Sequence, residues 1–286
     1  MKPETTRISQ MYRWALLAFI FVAAVYLASF LPDADWHATY YPVGRSILTG
    51  APLYENESFR YPPWTALILI PFAILPFNLS RGLAFVLSLL SIGFVSYRLG
   101  NNPRTTIFFL LSPTVIGSII AANIESLLYP AIFLPPTWSL FGLLIKPQIG
   151  IGVALYIFIT SLIERDIKKI IIALAPVTIG YLISIVVFSL FINRFFNSSN
   201  SFEVWNRSIF PYGIPFGLMF LWLAIRKKNM YYALAASPFF SPYLNFFSYM
   251  AVQIGLLNED VENYVRRDVL HAGLAIFLWV IMLIVK

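Results

Sequence analysis

Tyr12-Arg13-Trp14-Ala15-Leu16-Leu17-Ala18-Phe19-Ile20-Phe21-Val22-Ala23-Ala24-Val25-Tyr26-Leu27-Ala28-Ser29-Phe30-Leu31 is a run of twenty residues with one charge, Arg13, at its start. A hydrocarbon core roughly 30 Å thick is crossed by about 20 apolar residues in a helix. A cleaved signal peptide has a shorter apolar core, of about 7–15 residues, and a small-residue cleavage site. Leu31-Pro32-Asp33 is no such site, so the run reads as a retained first membrane helix.

The rest of the chain agrees with that reading. Of its 286 residues 59% are hydrophobic and only 12% charged, and the mean hydropathy is +0.76. Soluble chains carry about 25% charged residues, so this composition leaves too little polar surface to coat a water-soluble fold. The expectation is an all-α, polytopic transmembrane helical bundle, a single domain over 1–286. The net charge of +7 does not point to nucleic acid, because Lys and Arg in membrane proteins mark cytoplasmic loops. With no cysteine, thiol-based metal and redox chemistry are excluded.

Basic residues cluster at Lys2, Arg7 and Arg13; at Arg98 and Arg104; at Arg165, Lys168 and Lys169; at Arg226, Lys227 and Lys228; and at Arg266 and Arg267. Placing every cluster inside gives a consistent path with a cytoplasmic N-terminus and about ten membrane segments, several short or re-entrant. A first outer loop covers 32–62 and a second 193–211. The apolar stretch 63–77 is short and contains Pro71 and Pro76. It fits a re-entrant or interfacial segment better than a span. Breaks fall at Lys146-Pro147-Gln148 and at Ser237-Pro238…Ser241-Pro242. Irregular backbone at membrane depth survives only when buried in protein or lining a cavity, so these breaks imply an internal cavity near the outer face.

The chemistry-bearing residues concentrate in the first outer loop. It reads Pro32-Asp33-Ala34-Asp35-Trp36-His37-Ala38-Thr39-Tyr40-Tyr41, then Gly50-Ala51-Pro52-Leu53-Tyr54 and Arg60-Tyr61-Pro62-Pro63-Trp64. Two readings stand for Asp33 and Asp35: solvated interfacial acids within an aromatic belt, or a general base partly desolvated by the rings. Lys146 is a charge within a membrane segment, costly there and a functional-site hypothesis by default, with snorkelling to the interface as the other reading. Arg45 and Arg60 are outer-loop cations able to meet phosphate or simply to face water. With two histidines and no cysteine, a His-based metal site has too few ligands. No cofactor or metal is expected.

The ordered set Asp35-Trp36-His37…Tyr40-Tyr41, Leu48-Thr49-Gly50-Ala51-Pro52-Leu53-Tyr54 and Tyr61-Pro62-Pro63-Trp64-Thr65-Ala66-Leu67…Pro71…Leu75-Pro76 resembles the N-terminal signature of the polyprenyl-phosphate-mannose-dependent transferases of glycosyltransferase family 87, in the GT-C superfamily. Leu144-Ile145-Lys146-Pro147-Gln148 is similar to a Lys-Pro-Gln step of that family, and Ser241-Pro242-Tyr243, more weakly, to a late Pro-aromatic element. The chain looks like a shortened member, and its Asn123-Ile124-Glu125-Ser126 turn departs from the family's Gly-Gln-x-Asn type. The resemblance implies an inverting transfer of a sugar, mannose in that family, from a lipid-phosphate donor to a hydroxyl at the outer face of the plasma membrane. It implies Asp35 as base, with Asp33 the second choice. His37, Tyr41, Arg60, Tyr61, Glu125, Lys146, Gln148 and Tyr243 are the substrate-binding candidates. Membrane lipid and a polyprenyl-phosphate-linked sugar are then the partners. Two rivals remain at this stage: a non-catalytic membrane subunit or lipid-binding scaffold that keeps the fold beside a partner protein, and a lipid or solute transporter.

Overall fold

The computed structural model describes residues 3–188, 191, 205–257 and 264–284, and among them every regular element is helical. Helix α1, Pro3–Ala28, ends in the turn Ser29-Phe30-Leu31, ahead of Pro32. A wide five-residue turn of helix, Trp36–Tyr40, runs directly into α2, Tyr41–Thr49. Gly50 closes α2 at φ 72°, its N–H on the Ser46 carbonyl, the left-handed stop that glycine adopts without a Cβ clash. The stretch 32–62 is therefore no extended loop but a set of short helical pieces packed on α3, Trp64–Ala73.

Helix α3 has ten residues with Pro71 inside. At about 1.5 Å per residue it reaches about half the hydrocarbon thickness, which agrees with an interfacial or re-entrant segment at 63–77. Next comes α4, Phe77–Arg98. Helices α5, Pro103–Leu110, and α6, Pro113–Ile120, meet at an angle of 58°, because Pro113 has no N–H to continue the ladder. Then follow α7, Glu125–Leu128, a tight turn of helix at Tyr129–Phe133, α8, Pro136–Leu143, and α9, Pro147–Ile163. Lys146 caps α9 in extended backbone, and Pro147 takes the first helical position, where its missing N–H costs nothing. Helix α10 is Ile167–Val187. The C-terminal part holds α11, Ile214–Lys227, α12, Met230–Ala236, tight turns at Ser237–Phe240 and Phe246–Tyr249, α13, Met250–Leu257, and α14, Tyr264–Ile284. The second outer loop expected over 193–211 lies outside the described residues as far as 204.

Among the described residues two helices, α4 and α10, are long and apolar enough to cross a membrane, and the bent pair α5–α6 makes a third if it is one broken span. This corrects the expected count of about ten membrane segments. Most of those runs do form apolar helices, but of 10–17 apolar residues or fewer, several of them cut by proline, too few to span alone; the stretch expected as a first span, 12–31, is among them, apolar and helical over Tyr12–Ala28. Helix α1 turns Trp14, Leu16, Phe19, Val22 and Leu27 outward, and α10 does the same with Ile171, Ile172, Ile179, Leu182 and Ile183. Such broad exposed apolar surface is a lipid or partner surface rather than a water-facing one.

Close backbone crossings hold the interior. A Cβ on Gly82 of α4 would lie 2.0 Å from the Val25 carbonyl of α1, and one on Gly152 of α9 would lie 2.1 Å from the Ala233 carbonyl of α12. The Gly152 N–H also donates to Ser237 Oγ at 3.0 Å. These crossings pack α1 on α4 and α9 on α12.

Candidate functional site

Four segments far apart in sequence bring their polar side chains together. Asp35, half-buried, begins the wide turn of helix after α1, and its N–H donates to the Ala121 carbonyl at 3.0 Å, tying it to the end of α6. There the chain reverses through Ala122, at φ 52°, a left-handed conformation that costs a non-glycine residue about 1–2 kcal/mol. The reversal directs Asn123 inward. Asn123 Nδ2 donates to Asp35 Oδ2 at 2.6 Å, and its Oδ1 accepts from Lys146 Nζ at 2.5 Å and from the Glu125 N–H at 3.0 Å. Among the described residues nothing donates to Asp35 Oδ1.

Lys146 and Glu125 are both wholly buried and form an ion pair at 3.4 Å. Glu125 is further held by the Tyr129 hydroxyl, at 2.7 Å to Oε1, and by Ser248 Oγ, at 2.8 Å to Oε2. Lys146 Nζ also lies 5.4 Å from the Tyr61 ring centre and 5.7 Å from that of Phe247. A buried charge persists when it is paired and hydrogen-bonded, and here both members are.

Aromatic hydroxyls complete the cluster. The Tyr40 and Tyr61 hydroxyls are 3.0 Å apart, and the Tyr54 hydroxyl donates to the Tyr61 carbonyl at 2.9 Å. Burial, with Tyr61 and then Asp35 adding, pushes the Tyr40 phenol well above its usual pKa, so it stays neutral. Tyr243, bonded to Asn245 Oδ1 at 3.1 Å, is pushed up to about 12 by burial first, then by Tyr61 and Asp35. Arg60, half-buried, lies within electrostatic reach of Tyr243. Among the described residues of this cluster it is a cation with part of its surface exposed.

Of the residues singled out in the sequence, Asp35, Arg60, Tyr61, Glu125, Lys146 and Tyr243 therefore converge. The others lie apart. Asp33 is half-exposed, within electrostatic reach of Arg81. His37 is exposed, its ring edge-on to Phe77 at 5.3 Å. The Tyr41 hydroxyl donates to the Leu75 carbonyl at 3.0 Å. Exposed Arg45 reaches the Ala73 carbonyl at 3.4 Å. Gln148 is half-buried in the first turn of α9, its side chain without a hydrogen bond among the described residues.

Sequence reasoning did not single out Asn123, Tyr129, Ser248 or Arg81 as site residues. Arg81 carried a usable signal, a lone charge inside an apolar run. Asn123 carried a weaker one, as the polar partner of Glu125 in a short turn.

An open groove of about 490 Å³ lies beside the cluster, lined by Ile47, Leu53, Trp64, Leu67, Ile183 and Phe188 among others. Its walls are almost wholly apolar. The segment Arg60-Tyr61-Pro62-Pro63-Trp64 leads from the polar cluster to the groove wall, where Trp64 stacks on Phe141 at 4.9 Å. Among the described residues no group of three or more acidic and histidine side chains is arranged to hold a metal ion. Comparison with family models, curated proteins and solved structures finds no match, so the functional reading rests on this geometry and on the sequence pattern.

Proposed function

We propose that the chain is a multi-pass membrane glycosyltransferase of GT-C type, similar to the family 87 enzymes. It moves a sugar, mannose in the first instance, from a polyprenyl-phosphate donor to an acceptor hydroxyl at the outer membrane face. The observation that carries this reading is the state of Asp35: one carboxylate oxygen is fixed by Asn123, and the other has no protein donor among the described residues. A carboxylate held by one oxygen and open at the other is oriented to take a proton from a hydroxyl.

The step is a displacement. Asp35 Oδ1 accepts the acceptor's proton as the acceptor oxygen bonds to the sugar's anomeric carbon from the face opposite the phosphate. The bond from that carbon to the phosphate oxygen breaks, and the lipid phosphate leaves with its electron pair. Lys146 acts within the protein: its Nζ, held by Asn123 Oδ1 and Glu125, keeps Asn123 turned toward Asp35 and places positive charge behind the base. Arg60 is the cation assigned to the leaving phosphate. The apolar groove suits the hydrocarbon part of a lipid substrate, because lipid chains need apolar walls and few polar contacts.

The test is transfer from radiolabelled polyprenyl-phosphate-mannose in membranes expressing the chain, compared with Asp35→Asn at equal expression. The expected outcome is transfer by the parent and a loss of about 10²–10⁴-fold in the variant, unchanged by chelation of divalent ions. Transfer that persists in Asp35→Asn removes Asp35 as base. No transfer from any of a panel of lipid-linked sugars, with native lipid extract as acceptor source, makes the non-catalytic subunit or scaffold the better reading.

A further inference from the structure

Arg81 is wholly buried in α4, and the reaction proposed above does not use it. Its Nε and Nη2 both donate to the Pro32 carbonyl, the former at 3.0 Å, and Nη2 also reaches the carbonyls of Ile119 at 3.2 Å and Ile120 at 3.4 Å. Those carbonyls belong to two different segments. Pro32 lies three residues before Asp35, and Ile120 three residues before Asn123. The neighbour of Arg81 acts on the same strip: Ser80 Oγ accepts from Trp36 Nε1 at 3.0 Å, both side chains being buried. Asp35 is thus bracketed by α4 on both sides, through Pro32 and through Trp36. Gly82 completes the device, because its missing Cβ lets α1 approach α4 closely enough for Pro32 to come within reach.

We propose that Arg81 is a positioning residue that sets Asp35 against Asn123, a proposal that deepens the glycosyltransferase reading and rests on it for the kinetic arm of its test. One planar guanidinium spans both segments, with donors in a fixed fork. The carbonyls at the end of α6 carry partial negative charge; that of Ile119 accepts from the Ala122 N–H at 3.0 Å and has a second lone pair for Arg81, so a cation is the group that suits them. The carbonyls it bridges belong to the two strips that carry the paired Asp35 and Asn123. A lysine has three donors, but all on one atom, and lacks the planar fork that holds two carbonyl strips at a fixed spacing.

Because the chain has no cysteine, the geometry can be read without any enzyme assay. An Asp35→Cys/Asn123→Cys pair is made in the full chain, and its disulfide formation under mild oxidation in membranes is followed. The pair is expected to crosslink rapidly in the parent background, and about tenfold or more slowly with Arg81→Lys or Ser80→Ala, while a control pair between α8 and the turn before it, Gly142→Cys/Ala131→Cys, whose Cβ positions adjoin, keeps its own rate. The kinetic arm measures sugar transfer. Arg81→Lys lowers kcat by about 100-fold, the size expected for a misplacement of about 1 Å, leaves KM for the donor within about twofold, and adds no further loss to Asp35→Asn, because both changes act through one group. Unchanged crosslinking in Arg81→Lys overturns the proposal, as does a kcat loss that adds in full to that of Asp35→Asn. If Arg81→Lys does not assemble, Ser80→Ala carries the same two readouts with the same expected and overturning results. If the parent transfers no sugar, the glycosyltransferase reading fails, and the crosslinking arm alone decides the role of Arg81.

Discussion

Helices α4 and α10 are alike in length and both apolar enough to span a membrane, yet half of the apolar stretch of α4 is buried against 17% of that of α10. On α4 the buried residues include Ser80, Arg81, Gly82, Ser88 and Ser96, whereas α10 buries only Ala173, Val177 and Ser184. Small and polar residues on α4 let neighbouring backbones approach and supply hydrogen bonds, as at Trp36 and at Thr106, whose hydroxyl is 2.8 Å from that of Ser96. Helix α10 is rich in isoleucine and faces outward. Hydropathy alone therefore separates a scaffold helix from a covering one poorly. The informative residues are the small and polar ones that interrupt the apolar run.

The sharpest way to break that comparison is to make one substitution on both helices. Gly82→Ala places a methyl 2.0 Å from the Val25 carbonyl. Backbone must move, and the expected cost exceeds the roughly 3 kcal/mol upper range of ordinary overpacking, even against the gain of about 1 kcal/mol in helix propensity. Gly180→Ala on α10 meets side chains rather than backbone, the Trp64 ring at 3.0 Å and the Phe141 ring at 3.6 Å. A ring at the edge of a groove can shift, so propensity should prevail and stability should change by no more than about 1 kcal/mol. Size-exclusion profiles and melting in detergent read both. Equal effects on the two helices would abolish the distinction between scaffold and cover.

The next effect concerns the polar cluster behind α4. Lys146→Met leaves Glu125 buried without its cation, and breaking a buried pair from one side costs about 3–5 kcal/mol. Replacing both partners with apolar residues, Lys146→Met with Glu125→Leu, is expected to recover most of that melting temperature, because a well-packed apolar pair is often as stable as the ion pair it replaces. Under the proposed function the double variant remains defective in transfer, since Asn123 has lost the ammonium that holds its Oδ1. Recovery of both stability and transfer would reduce Lys146 to a structural role.

These expectations also mark what the sequence could tell. Proline made two of the element breaks legible: Pro147 and Pro238 each stand where a helix stops or bends, because proline lacks the N–H that the next turn needs, whereas the bend at Pro113 was not read. The number of true spans was not legible, since an apolar run cut by proline keeps its hydropathy and loses its length. Asp35, Tyr61, Glu125 and Lys146 were each visible as charges or rings at membrane boundaries. Their union was not, because the bond from Asn123 to Asp35 joins residues 88 positions apart and rests on a reversal at Ala122 that no glycine announces. His37 and Tyr41 drew attention through their neighbours in the loop. The wide turn of helix at Trp36–Tyr40 faces Trp36 and Tyr40 inward and leaves His37 exposed, an outcome that helix phase decides and a loop reading does not reach.

The smallest expected effect is the one that most sharpens the picture of α10. Ile179 is 53% exposed. In water, truncating an isoleucine at such a position would remove little buried area and change stability slightly. In a bilayer the same side chain faces lipid, whose tails are as apolar as it is. Ile179→Ala is therefore expected to leave the melting temperature in lipid nanodiscs unchanged within error, whereas the matching truncation on α4, at Ile92 with no exposed surface, should cost about 2–5 kcal/mol through the cavity it leaves. Ile179→Asp separates lipid from a protein partner on that face. A charge at a lipid-facing position opposes insertion by about 2.5–3.5 kcal/mol near the helix centre, and glycosylation-site mapping of helix insertion would detect it. If Ile179→Asp inserts and folds as well as the parent, the outward face of α10 is covered by something polar, and its resemblance to a simple membrane span is only compositional.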